Sequence, residues 1–340
     1  MQSEKVHLAK KQEGLSNMRN IVKAPIFRLI QIAWSPIGLV GYVLLVITMI
    51  LFSRTSGVSS TTLASLYTRR MQHELGTRLD EPVIRLTMVL PNGFYLALCL
   101  VTGGTLLAHR LTGYVPRIYR YPFEGDPQVA QEPAARTTFF DAALARHQSS
   151  IDQLVILGAG WDTRSYRMPK AIHCFEVDTP KTQQTKRLML KKAGLDTTGI
   201  TFVPADFMTE DWLEKLVHAG FDPDKPTFFL WEGVTMYLDR EAVESTLRKI
   251  AGTASGSVVA FDYFNAELIE ARGGPSIRYI RAVLNAIGEP LRFGIESPPP
   301  ASKHVAAFLE SCGLSMEEHR NFGQETARKP AMAGFATAIV

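Results

Sequence analysis

Cysteine is scarce in this 340-residue chain, and none of it is paired in spacing. Cys99, Cys174 and Cys312 lie far apart with no CxxC, which excludes a disulfide framework and a structural zinc site. Cys174 falls in an apolar strand pattern, where cysteine acts as a small hydrophobe, so the soluble part is expected in a reducing compartment. The histidines show no HExxH or related spacing, and no metal is expected. A surplus of charge is missing too. The formal charge is +4, and no dense Lys/Arg patch is interleaved with aromatics, so nucleic acid is not an expected partner. No internal repeat is evident, and the only low-complexity stretch is the loop breaker Pro298-Pro299-Pro300. What remains is the composition of an ordinary folded enzyme, 46% hydrophobic and 21% charged.

Charge is absent altogether from two stretches, residues 35–53 and 86–108. A helix of about 20 residues crosses a bilayer core, so both are read as spans of a transmembrane hairpin over 35–108. Pro91, Asn92 and Gly93 are expected to weaken or kink the second. The lead-in 1–34 is too long for a signal peptide, and a retained anchor fits better. It carries Lys5, Lys10, Lys11, Arg19, Lys23 and Arg28; the connector 54–85 carries Arg54, Arg69, Arg70, Arg78 and Arg85; Arg110, Arg117 and Arg120 follow. More positive charge lies on the two ends together than on the connector, which places both ends, and the catalytic domain, on the cytoplasmic side of a multi-pass protein.

Beyond a connector and helix at 109–150, short apolar runs alternate with helical patterns over 151–340. QLVILGAG (153–160), AIHCFEVD (171–178), ITFVPADF (200–207), TFFLWEGV (227–234) and SVVAFDYF (257–264) read as strands. TPKTQQTKRLMLKKAG (179–194) reads as a helix that Thr179 and Pro180 begin and Gly194 ends. DREAVESTLRKIAG (239–252) is a second, with Asp239 at its N-cap. Such alternation predicts a parallel sheet covered on both faces. CGLSMEEHRNF (312–322) and AGFATAIV (333–340) have no helix between them and predict an antiparallel pair at one edge. A doubly wound, mostly parallel seven-stranded α/β sheet with a C-terminal antiparallel hairpin is the class I methyltransferase architecture.

In such sheets ligands bind beyond the carboxyl ends of the strands. Gly158 and Gly160 of LGAGWDTR let the backbone turn tightly and approach a ligand. The third glycine of a dinucleotide GxGxxG is replaced by Thr163, which argues against a nicotinamide-dependent oxidoreductase. Asp178 ends the second strand, where a carboxylate can accept bonds from ribose hydroxyls; Glu176, two residues earlier, is the alternative. Asp206 in PADF is placed to receive an adenine amino group, with Phe207 over the ring. Glu232 sits between Trp231 and Gly233 in apolar company and needs a cationic partner. Arg136, in the helix ARTTFFDAALARH, has the bidentate geometry to hold a carboxylate. Tyr237, Asp262 and Tyr263 are weak candidates for a catalytic base, and none is assigned.

Taken in order, ARTTFFD, QLVILGAGWDTRSYRM, FEVDTPKTQQTKR, FVPADF and WEGVTMYL resemble the leucine carboxyl methyltransferase family and its bacterial relatives, from about residue 130 to the C-terminus. The resemblance implies the cofactor S-adenosyl-L-methionine and transfer of a methyl group to an oxygen, often a carboxylate. It implies that Arg136 holds the cofactor carboxylate and that Gly158, with Ala159 and Gly160, lies beside its methionine part. It implies that Asp178 binds the ribose, that Asp206 and Phe207 line the adenine pocket, and that Glu232 approaches the methionine end or the substrate. The hairpin is not part of the phosphatase-methylating members, so a small or lipid-like acceptor at a membrane is expected instead. A scaffold that keeps the fold without turnover is the other alternative.

Overall fold

Five parallel strands make the floor of the sheet domain, all but the one at its edge largely buried. The computed structural model describes residues 2–56, 58–59, 62–90, 94–270, 282, 285, 289–327 and 329–340. Strands β1 (Gln153–Leu157), β2 (His173–Asp178), β3 (Ile200–Pro204), β4 (Thr227–Trp231) and β5 (Val258–Phe264) run parallel. The order across the sheet is β3-β2-β1-β4-β5-β7-β6, with β7 (Ala333–Ile339) antiparallel to both β5 and β6 (Ser315–Phe322). β1 and β4 are buried at every position because helices cover both faces, which explains their apolar runs LVIL and FFLW. The expected strands and terminal hairpin are all present. β1, β3 and β4 stop just before Gly158, Asp206 and Gly233, and β2 ends on Asp178, so these residues gather at one end of the sheet.

One face packs on α5 (Glu132–His147) through Phe139, Phe140 and Ala143. The other packs on α7 (Trp212–His218), α8 (Arg240–Ala251) and α10 (Ala301–Ser311) through Trp212, Leu216, Val243, Leu247, Val305 and Leu309. A short helical turn, α9 (Ala266–Ile269), follows β5. The capping expectations are met in part. The Asp239 carboxylate accepts the Ala242 N–H at the start of α8, and Gly194 closes α6 (Pro180–Ala193) with a left-handed φ of 61°. Thr179 stands at the α6 N-cap but makes no side-chain capping bond there.

The N-terminal third departs from expectation in three ways. The boundary drawn at 34/35 is not a break, because α1 runs as one helix over Gln2–Ser56. The second apolar stretch does not form one helix over 86–108. Its first residues belong to α3 (Glu81–Val89), and α4 covers Phe94–Thr112; the kink expected at Pro91, Asn92 and Gly93 falls outside the described residues. The connector 54–85 is more than a link between two apolar runs. It folds into α2 (Thr62–Glu74) and α3, which pack on the sheet domain: Leu63, Leu66, Val83 and Leu86 share a core with Trp161 and with Met189 and Leu190 of α6. Burial of that apolar stripe is the reason; the periodic Leu63, Leu66 and Val83, Leu86 must be covered, and the domain covers them.

α1 and α4 lie antiparallel and close. A Cβ on Gly41 would stand 2.5 Å from Leu100, and one on Gly104 2.6 Å from Trp34, so small residues set the approach. Trp34 Nε1 donates to the Leu100 carbonyl at 2.9 Å and Gln31 Nε2 to Thr105 Oγ1 at 3.1 Å. Lys23–Leu51 and Phe94–Thr112 are each long and apolar enough to cross a membrane by length and composition.

Candidate active site

The turn after β1 forms the floor of the site. Gly158 and Gly160 adopt φ of 69° and 35°. At Gly158 the need for glycine is double, since a Cβ would meet Val234 Cγ2 at 2.3 Å. The backbone N–H groups of Gly158 and Ala159 both donate to the Val177 carbonyl, at 2.8 and 3.0 Å, and pull the turn over the end of β2.

Asp178 clamps this turn. One carboxylate oxygen accepts the Gly160 N–H at 2.7 Å and the other the Thr179 N–H at 2.7 Å. A carboxylate has about four acceptor sites; Thr182 also bonds to this one, and room remains for a ribose hydroxyl. Burial pushes the Asp178 pKa up, against the pull of those two backbone bonds. Glu176, the alternative, is removed from the site: it is fully buried and paired with Lys186 at 2.7 Å. Asp206 uses Oδ1 to accept the Met208 N–H at 2.9 Å, while the Phe207 ring lies 6.1 Å from that of Trp212.

Glu232 follows β4. Its Oε2 receives Arg164 Nη1 at 2.6 Å, and its Oε1 is buried with no hydrogen-bond partner among the described residues. Arg136 reaches the same space from α5, but not as a free cation: its Nε lies 2.6 Å from Glu132 and its Nη2 3.0 Å from Asp262. Burial pushes the Glu132 pKa up to about 7, with Asp262 and Glu232 adding to the rise and Arg136 opposing it. Burial raises that of Asp262 as well.

Two adjoining cavities share Thr62, Gly158, Gly160, Glu232, Gly233 and Tyr237. One continues past Asp178, Asp206 and Phe207; the other past Ala159, Glu132 and Arg136. All eight expected site residues therefore line one continuous, two-lobed space beyond the carboxyl ends of β1, β2 and β4. Of the three weak base candidates, only Tyr237 lines it. Tyr263 is buried and bonded through its hydroxyl to His319 Nε2 at 2.8 Å, and Asp262 is held by Arg136 and the Gly233 N–H.

Sequence reasoning missed the residues that α2 brings in. Thr62, Ala64, Ser65 and Arg69 line the smaller lobe, outside the span 151–340 assigned to the catalytic domain. Arg69 is 3% exposed and lies 3.1 Å from Asp162. Behind it runs a buried ionic chain: Arg164 contacts Asp141 at 2.6 Å, Asp162 and Glu232, and Arg78 contacts Asp141 at 2.7 Å and Asp80 at 2.5 Å. Burial works against the Asp162 and Asp141 charges, yet Arg164, with Arg69 and Arg78, outweighs it and holds both well below the ordinary carboxylate range. A signal was available: Leu63, Leu66 and Arg70 follow i, i+3, i+7 spacing, which turns this arginine and its neighbour toward a buried face.

Fold and site together define a class. The strand order with its one reversed strand, and a cavity at the carboxyl ends of the central strands, are those of the class I methyltransferases. The model of the leucine carboxyl methyltransferase family matches residues 119–251. YktD of Bacillus subtilis (strain 168), assigned by name as an S-adenosyl-L-methionine-dependent methyltransferase, is 34% identical over 201 residues, 56% of this chain and 64% of its own length. A Mycolicibacterium smegmatis protein assigned in the same terms is 34% identical over 163 residues, 45% of this chain and 55% of its own. The match thus spans between about half and two thirds of these relatives. A DUF574 family protein from Streptomyces avermitilis overlays 62% of this chain and 84% of its own at 15% identity and a TM-score of 0.45.

Proposed function

We propose that this chain is an S-adenosyl-L-methionine-dependent O-methyltransferase acting on a carboxylate or hydroxyl of a small or lipid-like acceptor at a membrane, with its catalytic domain on the cytoplasmic side. The observation that carries the reading is the buried, unpartnered Glu232 Oε1 opening on a cavity whose other end holds Asp178 and Asp206. A buried carboxylate oxygen without a donor is costly, and a cationic amino acid moiety supplies one. The residues present fit the cofactor. Asp178 would hold the ribose, Asp206 and Phe207 the adenine, and Gly158, Ala159 and Gly160 would pass beside the methionine part. Arg136 and Glu232 would hold its charged end, with Arg69 on the facing wall.

When bound, the cofactor supplies a methyl group on a positively charged sulfur. The chain's task is then positioning and exclusion of water, since loss of charge in the reaction favours a dry site. Ile156, Trp161 and Leu230 line the smaller lobe, are buried and keep it apolar. A carboxylate acceptor needs no base; a hydroxyl acceptor needs one within hydrogen-bond reach, and Tyr237 is the cavity residue able to serve. The catalytic unit in this reading comprises residues 58–90 together with 117–340, because α2 walls the cavity.

Calorimetry of S-adenosylmethionine and S-adenosylhomocysteine with full-length protein in detergent tests the reading, with Asp178→Ala as control. Micromolar binding lost in the variant is expected. Binding of a nicotinamide dinucleotide in their place would select the oxidoreductase alternative, and binding without turnover on any oxygen acceptor the scaffold.

A further inference from the structure

We propose that α1 and α4 form a monotopic anchor, which enters one leaflet and leaves by the same face, rather than a pair of membrane crossings. Between Arg28 and Arg54 the chain carries no charge, and Leu29, Ile32, Leu39, Val40 and Tyr42 of α1 are exposed, with none of the described residues covering them. So long a bare apolar surface is far beyond what a water-facing helix carries. Cations stand at its end, Lys23 and Arg28 on α1 and Arg110 on α4, where anionic headgroups would meet them. The occupant that fits is a bilayer containing anionic lipid.

Chain geometry decides how deep the pair can go. α4 starts on the domain: Phe94 stacks on Tyr67 of α2 at 5.3 Å between ring centroids, and Arg70 lies 5.0 Å from the Tyr95 ring. It ends at Thr112, and the chain is back on the domain by Arg117. That guanidinium donates to the carbonyls of Glu124 and Asp126 and covers the ring of Phe123, which is buried under α5. Five residues reach at most about 17 Å, against a hydrocarbon core of about 30 Å. The far end of α4 therefore cannot lie across a bilayer from the domain. α1 is bound by the same limit. Leu45 packs on the core with Met189, while the Phe27 ring lies 5.1 Å from Tyr114, three residues before the docked Arg117. An upright helix from Phe27 to Leu51 would rise about 36 Å, so α1 must lie tilted along the interface. Val58, Ser59 and Thr62, which wall the cavity, follow directly from α1. The anchor thus holds the cavity at the surface of the near leaflet.

The test uses full-length protein inserted into preformed, sealed vesicles of phosphatidylcholine and phosphatidylglycerol, in a Cys99→Ser background. Single cysteines are placed at Arg110→Cys, Leu39→Cys and Glu124→Cys, and treated with a membrane-impermeant maleimide before and after detergent. Glu124→Cys on the domain marks the outer side. Arg110→Cys is expected to react as completely as Glu124→Cys without detergent, and Leu39→Cys only after detergent. Reaction of Arg110→Cys only after detergent would show a crossing and overturn the proposal. So would rapid reaction of Leu39→Cys in vesicles, failure of the protein to float with them, or a detergent-free dimer that covers the apolar face. No cofactor takes part, so the outcome is independent of the methyltransferase reading.

Discussion

Replacing Lys186 with Met probes how the cofactor turn is held. Lys186 is 1% exposed and pairs with the fully buried Glu176 at 2.7 Å; its Nζ also donates to the carbonyls of Ala159 at 3.3 Å and Asp162 at 3.0 Å. Methionine keeps the length but leaves Glu176 without a counter-charge. Burial already raises the Glu176 pKa, and Lys186 is the main influence lowering it. In the variant the folded carboxyl stays protonated well above its ordinary value of 4.5, while the unfolded one ionises there. A raised folded pKa makes the penalty grow as pH rises, by at most about 1.4 kcal/mol per unit. The ceiling is thus about 1.4 kcal/mol at pH 5.5 and about 4 kcal/mol at pH 7.5, which agrees with ~3–5 kcal/mol for breaking a buried pair. Denaturant unfolding of parent and variant at the two pH values measures this. The double variant Glu176→Gln/Lys186→Met is expected to lose the pH-dependent part. A loss that is equal at both pH values, or unchanged in the double variant, would refute the reasoning.

Asp178→Asn keeps the shape but removes the charge, and is expected to weaken S-adenosylhomocysteine binding by about 10- to 100-fold, the worth of one or two charge-assisted bonds; calorimetry reads it. Gly158→Ala meets both a positive φ and Val234 at 2.3 Å, so a loss of about 2–4 kcal/mol is expected, with partial recovery in Gly158→Ala/Val234→Ala by thermal unfolding. Glu132, with its pKa near 7, is expected to lose a proton when a cationic ligand binds beside it. Affinity then rises from pH 6 to pH 8, and binding heats at pH 6.5 differ between buffers of different ionisation enthalpy; equal heats would exclude Glu132 as the linked group. A fragment beginning at residue 109 lacks α2 and α3 and exposes Trp161, Met189 and Leu190; it is expected to unfold at lower denaturant and to bind no cofactor.

The sheet domain was legible because its signals are local. Runs such as LVIL and FFLW are apolar at every position, as a strand covered on both faces must be, and the turns after them carry the glycines and acids that a strand end requires. Arg136, Gly158, Ala159, Gly160, Asp178, Asp206, Phe207 and Glu232 could be named in advance because each follows or precedes such an element at fixed spacing. What each touches could not. Glu176 and Asp178 are equivalent by alternation along β2, and only the approach of Lys186 from α6 decides that one is consumed in a buried pair while the other faces the cavity. Arg69 sits in a stretch that, read alone, is a charged connector; it becomes a cavity wall because α2 must bury Leu63 and Leu66 against Trp161. The apolar runs were equally plain by length, but whether they cross a bilayer depends on where their flanks go. The anchor proposed above rests on the docking of Phe94 and Arg117 on one domain, a long-range packing outcome that no window of sequence contains.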